Sequence, residues 1–119
     1  MKFWIASDPA TRMSNKLLHG GDYIYAEGEI SQGSAEQFAA FVQREGIKNA
    51  RVLFNSPGGS LMEGIKLGRV IRALGFDTGI GVYSRDFDPN ANSQSICASA
   101  CAYSFAGGVN RFLDESSGR

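Results

Sequence analysis

The chain has 119 residues, 12 Lys and Arg against 12 Asp and Glu, and 43% hydrophobic residues, the profile of one soluble globular domain without net charge. That balance excludes nucleic acid as the main partner, because phosphate neutralisation needs clustered cations and these are dispersed. No apolar run approaches the roughly 20 residues that cross a bilayer, so a membrane-spanning helix is excluded, and two cysteines are too few for a disulfide framework.

The amino terminus, with one basic residue and a short apolar run before Asp8-Pro9, is not a secretory signal. Residues 2–6 suit a short strand, and 13–18 a helical turn within a polar stretch that ends at Gly20-Gly21. Residues 23–30 are aromatic and β-branched enough for a strand, with Gly28 as a candidate bulge. Ser34 and Gln37 have capping-box spacing, and Phe38, Phe41 and Val42 follow at helical spacing until Gly46.

Residues 51–54 read as a buried strand. Asn55-Ser56-Pro57-Gly58-Gly59 then breaks the chain, and Ser60 with Glu63 opens a second helix, which runs to Leu74 with Gly75 in the terminating position. Residues 76–83 suit a strand and 84–95 a loop. Small residues over 97–105 suggest a short helix packed closely against a neighbour, and 110–113 begin a last strand. Strands alternating with helices predict a single α/β domain over 1–119 with a largely parallel sheet, since parallel neighbours need a crossover.

Three features carry candidate chemistry. In the turn 55–60, two glycines between a strand and a helix leave backbone N–H groups unobstructed, as an anion site requires, although a plain turn capped by Ser60 uses the same residues. A phosphate loop does not fit, because Ile65 stands where its lysine belongs, and there is no dinucleotide fingerprint. In Cys97-Ala98-Ser99-Ala100-Cys101, a serine begins a short helix, where the positive end of the dipole helps an oxyanion form. Cysteines four apart on an ideal helix have Cα atoms about 6 Å apart, which permits a cross-link, but two buried thiols are the preferred reading. His19, the only histidine, reads as a surface residue. No metal or cofactor is indicated.

Together, N-S-P-G-G-S from Asn55, G-x-x-L-G-R-x-I-R from Gly64 and C-A-S-A-C-A-Y-S-F-A-G-G from Cys97 resemble the Clp protease proteolytic-subunit family of the crotonase-like superfamily. The likeness is greatest to bacterial Clp-protease-like proteins with a C-A-S-A-C motif, and it covers residues 23–118. It implies a ββα spiral, a serine peptidase acting on peptides or proteins, and homo-oligomeric rings in which Phe38, Phe41 and Leu61 are candidates for contacts as well as for core. Carried over by position, Ser99 matches the nucleophile, the N–H groups of Gly59 and Ala100 match the oxyanion donors, and Gly58 shapes the turn. An ATP-driven unfoldase is not indicated. Many such relatives are periplasmic, whereas the lack of a signal points to the cytoplasm, so the compartment stays open.

The resemblance also implies a general-base histidine after the nucleophile helix and an acidic residue beyond it, and the sequence reaches neither. The expectation is therefore a carboxy-terminally incomplete domain, inactive as this isolated chain and a serine endopeptidase when a longer protein supplies the missing groups. His19 stands in only if the early segment folds over Ser99, and a Ser–Lys pair would require Lys16, Lys48 or Lys66. Asp86 and Asp88 read as solvated charges. The alternatives are a noncatalytic crotonase-like scaffold that binds peptides or assembles, and an acyl-thioester enzyme, for which no adenine-nucleotide pocket is visible.

Overall fold

Alternation of buried side chains builds the sheet. Along Asp22–Glu27 (β2) and Ala50–Asn55 (β3) every second residue is buried, so Ile24, Ala26, Val52 and Phe54 turn to one face while Tyr23, Tyr25, Arg51 and Leu53 are half-buried on the other. The computed structural model describes residues 1–6, 8–81 and 96–113, without the side chain of His19. The readings placed on Tyr83, on 84–95 and on Asp86 and Asp88 lie outside these residues. The remaining elements are β1 (Lys2–Trp4), α1 (Pro9–His19), α2 (Ser34–Glu45), α3 (Leu61–Leu74), β4 (Asp77–Ile80), α4 (Ala100–Phe105) and β5 (Arg111–Phe112).

The five strands among the described residues lie in the sheet in chain order. β1 pairs antiparallel with β2, and β2–β3, β3–β4 and β4–β5 are parallel, as the alternation of elements predicts. From β2 onward every crossover steps in the same direction, and crossovers of one hand then lay their helices on one face. Accordingly α3 packs against both α2 and α4. The core under them consists of Phe38, Phe41 and Val42 from α2, Leu67 and Ile71 from α3, the inward residues of β2 and β3, and Phe76. Phe38 and Phe41 are therefore core residues, whereas Leu61 is 50% exposed.

Four local expectations need correction. The early helix is not a turn over 13–18 but eleven residues long, because Asp8 caps it through the Ala10 and Thr11 N–H groups and Pro9 occupies its first turn. It is anchored by Arg12, whose guanidinium donates to both carboxylate oxygens of the buried Asp22 at 3.0 and 3.1 Å. Gly28 makes no bulge; it closes β2 at φ 102° and donates to Asn55 O. Of the strand expected over 76–83, Asp77–Ile80 pairs, Phe76 and Gly81 stand outside it, and 82–83 lie outside the described residues.

The expected capping box at Ser34 does not form either. The N-cap of α2 is Gly33, which offers no side chain, and Ser34 Oγ instead accepts the Ser31 N–H. The cap comes from another helix, for Glu63 Oε1 accepts the Ala35 N–H at 3.2 Å. Glu63 is buried, and its other oxygen lies 3.6 Å from Lys66 Nζ. The Ala35 N–H lowers the Glu63 carboxyl below its ordinary value; burial opposes this, while the Gly33 N–H and Lys66 add to it.

A depressed carboxyl stabilises the fold above the unfolded-state value and loses that contribution as pH falls through the folded value. Glu63→Gln should therefore be less stable than the parent at pH 7, with the difference shrinking as the pH falls below about 4. Thermal melts of both proteins between pH 7 and 3 check this; parallel curves would show that the carboxylate charge is not what joins α2 to α3.

Candidate active site at the Ser99 turn

The parallel ladder continues beyond β3, and this continuation builds the site. Ser56 forms a bridge with Cys97: its N–H donates to Ile96 O at 2.7 Å, and Ala98 N–H donates to Ser56 O at 3.1 Å. Asn55 Oδ1 accepts the Ile96 N–H at 3.1 Å. The segment entering Ser99 is thus held as an extra strand beside the Ser56-Pro57 corner. Ser56 is fully buried, and its Oγ also accepts the Gly58 N–H at 3.1 Å, which sets the direction of the glycine turn. Reading the sequence by motif passed over Asn55 and Ser56 as positioning residues. Two hydrogen-bonding side chains directly after a buried strand were the available signal.

Gly58 lies directly against the serine. A Cβ built on it would stand 2.7 Å from Ala98 O, 2.9 Å from Ser99 Cβ and 3.3 Å from Ala100 N, and its φ is 108°. Only glycine fits such a contact between backbones. The next residue, Gly59, has φ 135° and bridges to Ile30, whose O a Cβ at position 59 would overlap. Ile30 bonds the flanking peptides, donating to Gly58 O at 2.7 Å and accepting Ser60 N–H at 2.8 Å. Among the described residues the N–H groups of Gly59 and Ala100 have no hydrogen-bond acceptor, whereas that of Gly58 is taken by Ser56. The turn thus joins Ser99 to one of the two donors matched by motif, with the other one peptide beyond Gly58.

Ser99 is the N-cap of α4, with φ 54° and ψ −120°, and makes no capping bond. It alone among the described residues other than glycine has positive φ. A serine in that region costs about 1–3 kcal/mol and persists only where its surroundings over-determine it. The surroundings here are the Ser56–Cys97 bridge on one side and the docking of α4 on the other. Gly64 and Gly68 form one small-residue face of α3, and the α4 backbone lies on it: a Cβ at Gly64 would come 2.5 Å from Ala100 O, and one at Gly68 2.7 Å from Tyr103 O. Ser104, fully buried, donates to Gly64 O at 2.7 Å. This is the close neighbour that the small residues of 97–105 imply.

The preferred reading of Cys97 and Cys101 as two thiols is corrected. They form a disulfide, with Cα atoms 5.1 Å apart. Position 97 precedes the helix, in the extended segment, so the two Cβ atoms are not in the helical i, i+4 relation, whose Cα spacing permits a cross-link but whose side-chain directions oppose it.

The basic groups weighed as proton acceptors lie elsewhere. Ser99 Oγ makes no hydrogen bond to any described residue. The backbone of His19, like that of Lys16, belongs to α1, next to the start of β2, and six residues of strand, about 20 Å, separate that end of the sheet from the end where Asn55 leads into the glycine turn. Lys48 precedes β3 at the same far end, and Lys66 pairs with Glu63. Among the described residues no group of three His, Cys, Asp or Glu could hold a metal ion, and no helix is long and apolar enough to cross a membrane.

No protein-family model matches the chain, and no curated protein matches it by sequence. Among solved structures it is similar to a mutant of 1510-N, a membrane-bound stomatin-specific protease, with a TM-score of 0.50 and 18% identity. The match covers 71% of this chain but 38% of that one, so the chain spans well under half of its structural neighbour. The chain therefore has a mixed α/β fold with a mostly parallel five-stranded sheet, similar to that of a protease.

Proposed function

We propose that the chain is a serine-peptidase-like domain of the Clp and crotonase-like type, in which Ser99 is the nucleophile and the N–H groups of Gly59 and Ala100 form the oxyanion hole. The observation that carries this reading is the backbone of Ser99, held at positive φ against a glycine that nothing larger can replace. Strain of this kind accumulates where a reacting group must be presented in one direction. In the reaction, Ser99 Oγ bonds to the carbonyl carbon of a peptide, the carbonyl oxygen gains the charge, and the two N–H groups donate to it. Each such donor is worth about 10²- to 10³-fold in rate. The serine proton passes to a base and then to the leaving amine, and water releases the acyl group.

That base is not among the described residues, so the isolated chain should bind an electrophile at Ser99 without turning over substrate. A peptidyl boronate distinguishes the two steps, because its four-coordinate adduct needs the serine and the donors but no leaving group, and this reversible addition releases the serine proton to solvent. The expected result is a four-coordinate boron signal in ¹¹B NMR, lost in Ser99→Ala, with no hydrolysis of peptide esters and little reaction with a fluorophosphonate. The second reading is a noncatalytic scaffold that binds peptides or assembles, and it is favoured by Ser99 Oγ having no hydrogen-bonded base among the described residues. Boronate binding unaffected by Ser99→Ala, or no binding at all, would decide for the scaffold.

A further inference from the structure

We propose that the Cys97–Cys101 disulfide is a positioning clamp for Ser99, and that a dithiol reductant releases the site by opening it; this rests on the reading of Ser99 as nucleophile. The cross-link closes a ring of five residues with Ser99 at its centre. Its two ends are fixed by different parts of the fold. Cys97 is bridged to Ser56 at the end of β3, and Cys101 is fully buried in α4, which lies on the Gly64–Gly68 face. Between them the chain turns from extended to helical over Ala98, Ser99 and Ala100, and Ser99 takes the positive φ.

The hydrogen bonds at the two ends fix where the chain enters and leaves, but no capping bond from Ser99 holds the middle. One backbone hydrogen bond crosses it, from the Cys101 N–H to Ala98 O at 3.0 Å, and the covalent link encloses that turn from Cys97 to Cys101. An ordinary serine prefers negative φ by about 5- to 150-fold, so opening the ring lets Ser99 leave the conformation that sets it against Gly58. A ring this short removes less entropy from the unfolded chain than a long one, so opening it shifts the melting temperature only modestly.

Opening proceeds by thiol–disulfide exchange. A thiolate of the dithiol bonds to Cys97 Sγ, the partly exposed partner, and Cys101 Sγ leaves and takes a proton. The second thiol then closes the reductant into its own disulfide and frees Cys97 as a thiol. Two electrons and two protons have moved to the protein, and the reductant is oxidised.

The test compares the oxidised chain, the chain reduced with dithiothreitol, and the Cys97→Ser/Cys101→Ser variant. Each is measured for peptidyl boronate affinity, melting temperature, and the Cα–Hα coupling of Ser99, which separates positive from negative φ. We expect reduction and the double variant each to weaken boronate binding about 10- to 100-fold with a small change in melting temperature, the coupling to move to the negative-φ value, and reoxidation to restore only the parent. A reduced protein that keeps positive φ at Ser99, or keeps its boronate affinity, overturns the clamp, as does a loss of affinity that only follows global unfolding. If the oxidised chain binds no boronate, the nucleophile reading fails, while the coupling still decides whether the disulfide sets the Ser99 backbone.

Discussion

Gly58→Ala should abolish boronate binding and cost about 2–5 kcal/mol of stability. Two costs add. At φ 108° an L side chain is strained whatever the space around it, and the new Cβ would meet Ala98 O at 2.7 Å and Ser99 Cβ at 2.9 Å. Both neighbours are held by backbone, the first through the Ser56–Cys97 bridge and the second through α4, so neither can retreat as a flexible side chain would. Gly46→Ala separates the two costs. Gly46 ends α2 at φ 65° with nothing within 4 Å of the added Cβ, so it should lose only about 1–2 kcal/mol, the conformational part. Urea denaturation of both variants gives the comparison; equal losses would mean that position 58 has room and that the turn does not press on Ser99.

Ser99→Gly should raise stability while destroying boronate binding. Glycine populates positive φ without the serine's penalty of about 1–3 kcal/mol, against which stands about 0.5–1 kcal/mol for its freer unfolded chain. The net gain of roughly 1 kcal/mol corresponds to about 4 °C in melting temperature for a domain of this size. Ser99→Ala removes the same hydroxyl but keeps the Cβ, so it should melt close to the parent. The ordering Gly above Ala and Ser marks a backbone held for function at the expense of stability. A Ser99→Gly protein that melts below the parent would show that position 99 is not strained.

The elements that local chemistry specifies were legible in the sequence. Gly46 and Gly75 end α2 and α3 in left-handed conformation, Ser60 Oγ caps α3 by accepting the Glu63 N–H, and the strand–helix alternation gives the parallel sheet. The early helix was legible too, since Asp8-Pro9 is an N-cap followed by a first-turn proline, but the polar composition after it outweighed that signal. What local reasoning misses is long-range. The α2 cap comes from Glu63, whose partner Ala35 stands 28 positions away, while Ser34 and Gln37 offer a capping box nearby that is not used.

The site divides the same way. Its residue types stand out as motifs, but their meeting depends on Asn55 and Ser56 gripping the segment before Ser99, with Asn55 and Ile96 separated by 41 positions. The disulfide follows from that same pairing, which takes Cys97 out of the helix. No spacing rule along the chain contains either fact.

The structure of the chain with a peptidyl boronate bound tests the central claim most directly. The account predicts a covalent bond from boron to Ser99 Oγ, with one boronate oxygen about 3 Å from both the Gly59 and the Ala100 nitrogen atoms. A boronate bonded to another residue, or bonded to Ser99 with its oxygens turned away from both N–H groups, would contradict it.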